Sequence, residues 1–201
     1  MIVQIVLVIV TAVQVNSQQL CPSVCQCNGE KATCTNLFSD VINVTQHRFN
    51  GALRDLRVIG STNLELEEDL FLRWNITSLE TLHLSENNIT NIRPRAFYSL
   101  AYLENLDLSG NRITTLASQT FYYNTGLLRL SLAQNSITDI HPSTVETNIK
   151  IIDLDMSGNK IASINPYTFY KNLNLVWLDL GRNSIDCIHP STLAKASKLT
   201  E

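Results

Sequence analysis

Leu103 to Asn124 reads LENLDLSGNRITTLASQTFYYN. Its apolar residues Leu103, Leu106, Leu108, Ile113, Leu116 and Phe121 fit neither a helical nor a strand period along the whole stretch. Leu106 and Leu108 alternate as a short strand does, and the residues after them read as a turn returning the chain towards its start. The stretch recurs every 24 residues. Asn87, Asn111, Asn135, Asn159 and Asn183 each follow a Leu-x-Leu or Leu-x-Met and precede an Ile by two residues. Scattered loop asparagines would not keep that register through five copies.

One such coil cannot bury its own apolar edge. Coils must therefore stack, so that their short strands form a parallel sheet and their leucines one continuous core. Each turn also leaves backbone N–H and C=O groups inside the coil. A column of inward asparagine amides, which both donate and accept, satisfies them from coil to coil. The pattern L-x-x-L-x-L-x-x-N-x-I-x-x-I, closed by a Phe five residues on, resembles the leucine-rich repeat family in its 24-residue extracellular form. The resemblance runs from about Cys21 to Glu201. It implies an α/β-type solenoid, a right-handed horseshoe with short parallel concave strands, an irregular or 3-10 convex side and a disulfide N-terminal cap; no C-terminal cap is expected within these residues.

Six repeats are expected at 53–78, 79–102, 103–126, 127–150, 151–174 and 175–198, with 199–201 opening a truncated seventh. The first is a weakened end member: Ser61 replaces the ladder asparagine, Asn63 replaces the following aliphatic, and Trp74 stands where Leu100 does and reads as core. Phe97, Phe121, Val145, Phe169 and Leu193 predict a second inner column on the convex side. Pro94, Pro142, Pro166 and Pro190 follow the last aliphatic of their coils by two residues, where a proline fixes the bend. Residues 18–52 are read as a cysteine-rich cap and a degenerate coil that uses Leu37, Val41, Ile42 and Val44. An array without a closing cap exposes its last apolar face, so the chain reads as the N-terminal part of a longer protein or an incomplete gene product, with any membrane attachment lying downstream.

At 201 residues, 44% hydrophobic and a formal net charge of −3, the composition is that of a globular chain. It has no basic footprint, and no nucleic-acid partner is expected. Met1 to Val15, MIVQIVLVIVTAVQV, falls short of the about 20 apolar residues a bilayer span needs. Residues 1–17 read instead as a secretory signal peptide cut ahead of Gln18, its positive charge limited to the amino terminus. Cys21, Cys25, Cys27 and Cys34 are spaced C-x3-C-x-C-x6-C; four cysteines allow three pairings, and in the cytosol the same spacing would suggest zinc. Behind a leader they read as an oxidised framework. Their likeness to the caps of extracellular leucine-rich repeat proteins implies Cys21 with Cys27 and Cys25 with Cys34. Cys187 is an odd thiol, read as facing away from the core and either bonded beyond this sequence or free.

Nothing in the sequence proposes an enzyme. There is no P-loop, no G-x-S-x-G and no H-E-x-x-H, and no cofactor or metal is expected. His141 and His189 share one site two coils apart, about 10 Å at ~4.8 Å per strand, too far to hold one metal; with His47 and His83 they read as solvated. Sequons stand at Asn43, Asn75 and Asn88. A glycan on Asn88 would obstruct the N-terminal part of the concave face and push binding towards the later coils.

The concave sheet is the predicted binding surface. Leu128, Ile152 and Val176 hold one position on three successive strands, with Trp177 beside the last and Arg129 and Asp153 at the border. An apolar anchor with a charged rim has the composition of a protein-binding hot spot. The resulting reading is an extracellular protein-binding module, secreted or on the outer face of the plasma membrane, as a receptor ectodomain or recognition factor. The alternative is a structural or homophilic adhesion or matrix protein whose array stacks on itself, with a homodimer among the expected partners.

Overall fold

A computed structural model describes residues 21–22, 24–36, 49, 51–62 and 64–200. The expected leader, the degenerate coil residues Leu37, Val41, Ile42 and Val44, the sequon at Asn43, His47 and Asn63 lie outside the described residues.

Eight strands lie in chain order across one sheet. β1 (Cys25–Asn28) and β2 (Lys31–Thr35) form an antiparallel hairpin around Gly29, whose φ of 61° suits glycine. Every later neighbour is parallel: β3 (Asp55–Ile59), β4 (Thr81–His83), β5 (Asn105–Asp107), β6 (Arg129–Ser131), β7 (Asp153–Asp155) and β8 (Trp177–Asp179). The register aligns Leu82, Leu106, Leu130, Leu154 and Leu178 side by side, so the 24-residue sequence period becomes one strand spacing in space. Among the described residues the convex side holds one four-residue helix, α1 (Leu70–Arg73), and a 3-10 turn at Pro142–Thr144. The remaining connections are mostly turns. The fold is thus a leucine-rich repeat horseshoe with little helix.

Two disulfides, Cys21–Cys27 and Cys25–Cys34, fix the hairpin. Ala32 and Cys34 of β2 are buried and pair with Leu56 and Val58 of β3, so the cap continues the leucine columns and keeps the first coil's edge out of water. Phe71, Phe97 and Phe121 stack behind the sheet with successive ring centroids 5.9 Å apart. Trp74 is buried against Phe71 at 5.6 Å. Val145 and Phe169 continue the column, both buried; Leu193, on the last coil, is only partly so.

The asparagine column is a hydrogen-bonded ladder. Asn135 donates through Nδ2 to Leu132 O and Ala133 O in its own coil and to Leu108 O in the coil before, while its Oδ1 accepts from Ile113 N–H at 3.0 Å. Asn111, Asn159 and Asn183 repeat this arrangement, and Asn87 carries it to Ser61, whose N–H donates to Asn87 Oδ1. A second column runs behind the core. Asn124, Asn148 and Asn172 are buried, and each donates to two backbone carbonyls, with Asn148 reaching Phe121 O and Asn124 O. Their 24-residue spacing is plain in the sequence, but no consensus position marks them.

Candidate binding face

Strands of three residues display two outward side chains each, so β4 to β8 form a grid of two columns. One column is Thr81, Asn105, Arg129, Asp153 and Trp177; the other is His83, Asp107, Ser131, Asp155 and Asp179. Apart from Asp179, these residues line a groove of about 370 Å³, with Leu106 and Leu130 also contributing to its wall.

The first column is joined from strand to strand. Asn105 Nδ2 donates to Thr81 Oγ1 at 3.2 Å, Arg129 Nη1 donates to Asn105 Oδ1 at 3.0 Å, and Arg129 Nε donates to Asp153 Oδ2 at 3.0 Å. Four side chains are thereby pre-positioned, and the row ends on Trp177, an indole 43% exposed. The second column explains its aspartates differently. Asp107 Oδ1 accepts from the backbone N–H and hydroxyl of Ser109, Asp155 Oδ1 from Ser157 N–H, and Asp179 Oδ1 from Gly181 N–H. Each uses one oxygen to hold the turn after its strand, a local reason for Asp at that position. Asp107 and Asp155 also line the groove.

Of the residues singled out from sequence, Arg129, Asp153 and Trp177 meet in the groove. Leu128, Ile152 and Val176 are half-buried one residue ahead of β6, β7 and β8, outside the groove lining. Their backbone N–H groups extend the parallel ladder to Glu104 O, Leu128 O and Ile152 O. Thr81, His83, Asn105, Asp107, Ser131 and Asp155 also line the groove. Their outward strand positions were legible, but their hydrogen bonds across strands were not. Towards the cap, Arg54 bridges Glu80 and Glu30, which raise the pKa of its exposed guanidinium.

The other candidates sort simply. His141 Nδ1 accepts from Ser143 N–H at 3.1 Å and His189 Nδ1 from Ser191 N–H at 3.2 Å, so both imidazoles hold turns. Cys187 is free and exposed. Asn75 and Asn88 are exposed at positive φ, and Asn75 Nδ2 donates to Phe49 O at 3.2 Å. Among the described residues no group of three or more His, Cys, Asp or Glu could hold a metal, and no helix is long and apolar enough to cross a membrane.

A family model for leucine-rich repeats matches residues 52–113, 101–161 and 147–201. A search of curated proteins finds no match. Among solved structures, the chain is similar to TLR13 in its crystallised complex with ssRNA13, at 28% identity over 74% of this chain and a TM-score of 0.69. It is also similar to the Toll–Spatzle complex of Drosophila, at 21% identity over 84% of this chain and a TM-score of 0.71, a likeness of fold. The chain spans 21% and 22% of those two chains. With a 24-residue ladder of asparagines, a parallel concave sheet and family matches across nearly all of its repeats, the chain belongs to the leucine-rich repeat family.

Proposed function

We propose that this chain is an extracellular recognition module that binds a protein partner on the concave grid of β4 to β8. The observation that carries this reading is Trp177: a large aromatic left exposed at the end of a hydrogen-bonded row, beside an apolar-floored groove. Rigid polar groups around an exposed indole suit an interface anchor. The disulfide-bonded cap suits an oxidising compartment. The Toll structure holds a complex with Spatzle, consistent with a protein partner for a related horseshoe.

A nucleic-acid partner is the second reading, because the TLR13 structure holds ssRNA. The grid argues against it here, since Asp107, Asp153, Asp155 and Asp179 outnumber Arg129, and phosphates need cations. Self-association on the same face is the third. A panel of purified secreted and cell-surface proteins, screened against the whole chain, tests all three. The expected result is a protein partner that loses about tenfold or more in affinity on Trp177→Asp. Its binding should protect β5 to β8 from hydrogen exchange. Tight binding of a labelled single-stranded RNA that Trp177→Asp abolishes would overturn the reading, and so would a concentration-dependent dimer that buries this face.

A further inference from the structure

The outer flank of the later coils carries a second surface, separate from the concave groove. Ile149 and Leu173 occupy one position in successive coils and are 51% and 49% exposed. The corresponding residues elsewhere are Ala101, Thr125 and Ser197, so the repeat itself does not demand a large aliphatic there. Together with Tyr170, Lys171, Asn174 and Lys195 they line a cleft of about 350 Å³. Asn174 ties its base together, donating through Nδ2 to Ile149 O at 3.0 Å and accepting from Lys198 Nζ at 2.8 Å.

The rim is cationic on a chain whose formal net charge is −3. Lys171 pairs with Glu146 at 2.6 Å, but Lys195 lies over the ring of Tyr170, 3.7 Å from its centroid, and among the described residues neither it nor Lys198 meets a carboxylate. Lys150, next to Ile149, is exposed and pairs with no acid among the described residues. The sequons stand at Asn43, Asn75 and Asn88, so none places an N-linked glycan on these coils.

We propose that this cleft docks an acidic segment of a partner protein, seating one bulky apolar side chain between Ile149 and Leu173 and its flanking carboxylates against Lys195, Lys198 and Lys150. An apolar floor removes the side chain from water, and the lysines select the sign of its neighbours. A recess receives a projecting side chain, whereas a bilayer surface offers none. The occupant is therefore a protein segment rather than a lipid headgroup layer.

The test is a random peptide library displayed on phage and selected on the whole chain. Enriched peptides should carry two or more Asp or Glu flanking a Leu, Ile, Phe or Trp. A synthetic peptide from that set should lose about tenfold or more in affinity on Leu173→Asp, and on Lys195→Glu combined with Lys198→Glu. Trp177→Asp should leave it unchanged, which separates this site from the concave face. Leu173→Ser serves if Leu173→Asp disturbs the circular dichroism spectrum. No enrichment, enrichment of basic or neutral peptides, or affinity indifferent to both flank variants overturns the proposal. It is equally overturned if the chain binds phosphatidylserine vesicles through Leu173 and no acidic peptide competes.

Discussion

The side-chain amide of Asn148 donates to the backbone carbonyl of Asn124 at 2.8 Å, one full coil away, while Asn124 in turn donates to the coil before it. Behind the core, as in front of it, coils are fastened by amides reaching backward. Asn148→Ala would leave Phe121 O and Asn124 O buried without that donor. We expect a loss of about 2 kcal/mol, and about 3 kcal/mol for Asn135→Ala, whose amide makes three donated bonds and accepts one. Urea unfolding of both variants measures the difference, and a neutral Asn148→Ala would refute a fastening role for the rear column.

Phe121 is fully buried and stacks on Phe97 with an interplanar angle of 18°. Its truncation to Ala removes a large apolar surface from the middle of the array, where the coils on both sides hold the cavity open. The expected cost is about 3–5 kcal/mol. Exposed Tyr102→Ala provides the control, with an expected change within about 0.5 kcal/mol.

Reduction should act locally. The Cys25–Cys34 bond joins β1 to β2, and β2 shields Leu56 and Val58. Mild reductant is expected to raise amide exchange across β1 to β3 while leaving β5 to β7 protected, because each coil contacts mainly its neighbours. Uniform loss of protection would show instead that the cap governs the whole stack.

Glu146 has its pKa lowered, first by its hydrogen bond to Lys171 and then by that ammonium's charge. The native state therefore favours the carboxylate. Its contribution to stability is complete above the ordinary glutamate pKa and fades as pH falls through the lowered one. An NMR titration should place the Glu146 midpoint below the ordinary value, and Lys171→Met should move it back up. An unmoved midpoint in that variant would remove Lys171 as the cause.

The period of Leu106, Asn111 and Phe121 made the stack legible because each of those positions answers a demand repeated in every coil: burial, backbone satisfaction, or filling of the rear core. The groove was only half legible. Trp177, Arg129 and Asp153 could be placed on the concave face by strand alternation, yet the chain of bonds through Asn105 depends on which residues fall side by side one coil apart. Leu128, Ile152 and Val176 look like a binding strip in the sequence. In space they stand at the entrance of their strands, where the side chain is half covered. The flank cleft left no sequence signal, since Ile149 and Leu173 lie in the irregular part of the coil, where apolar spacing carries no rule.

Because the framework is held by leucines and amides that point inward, the outward residues of each strand carry few of its requirements, the turn-holding Asp107, Asp155 and Asp179 apart. Neighbouring strands set such residues about 4.8 Å apart, giving a surface written like a text in rows and columns. Every letter but those aspartates can be exchanged while the page stays intact, so a change of partner needs only new side chains on a few adjacent lines.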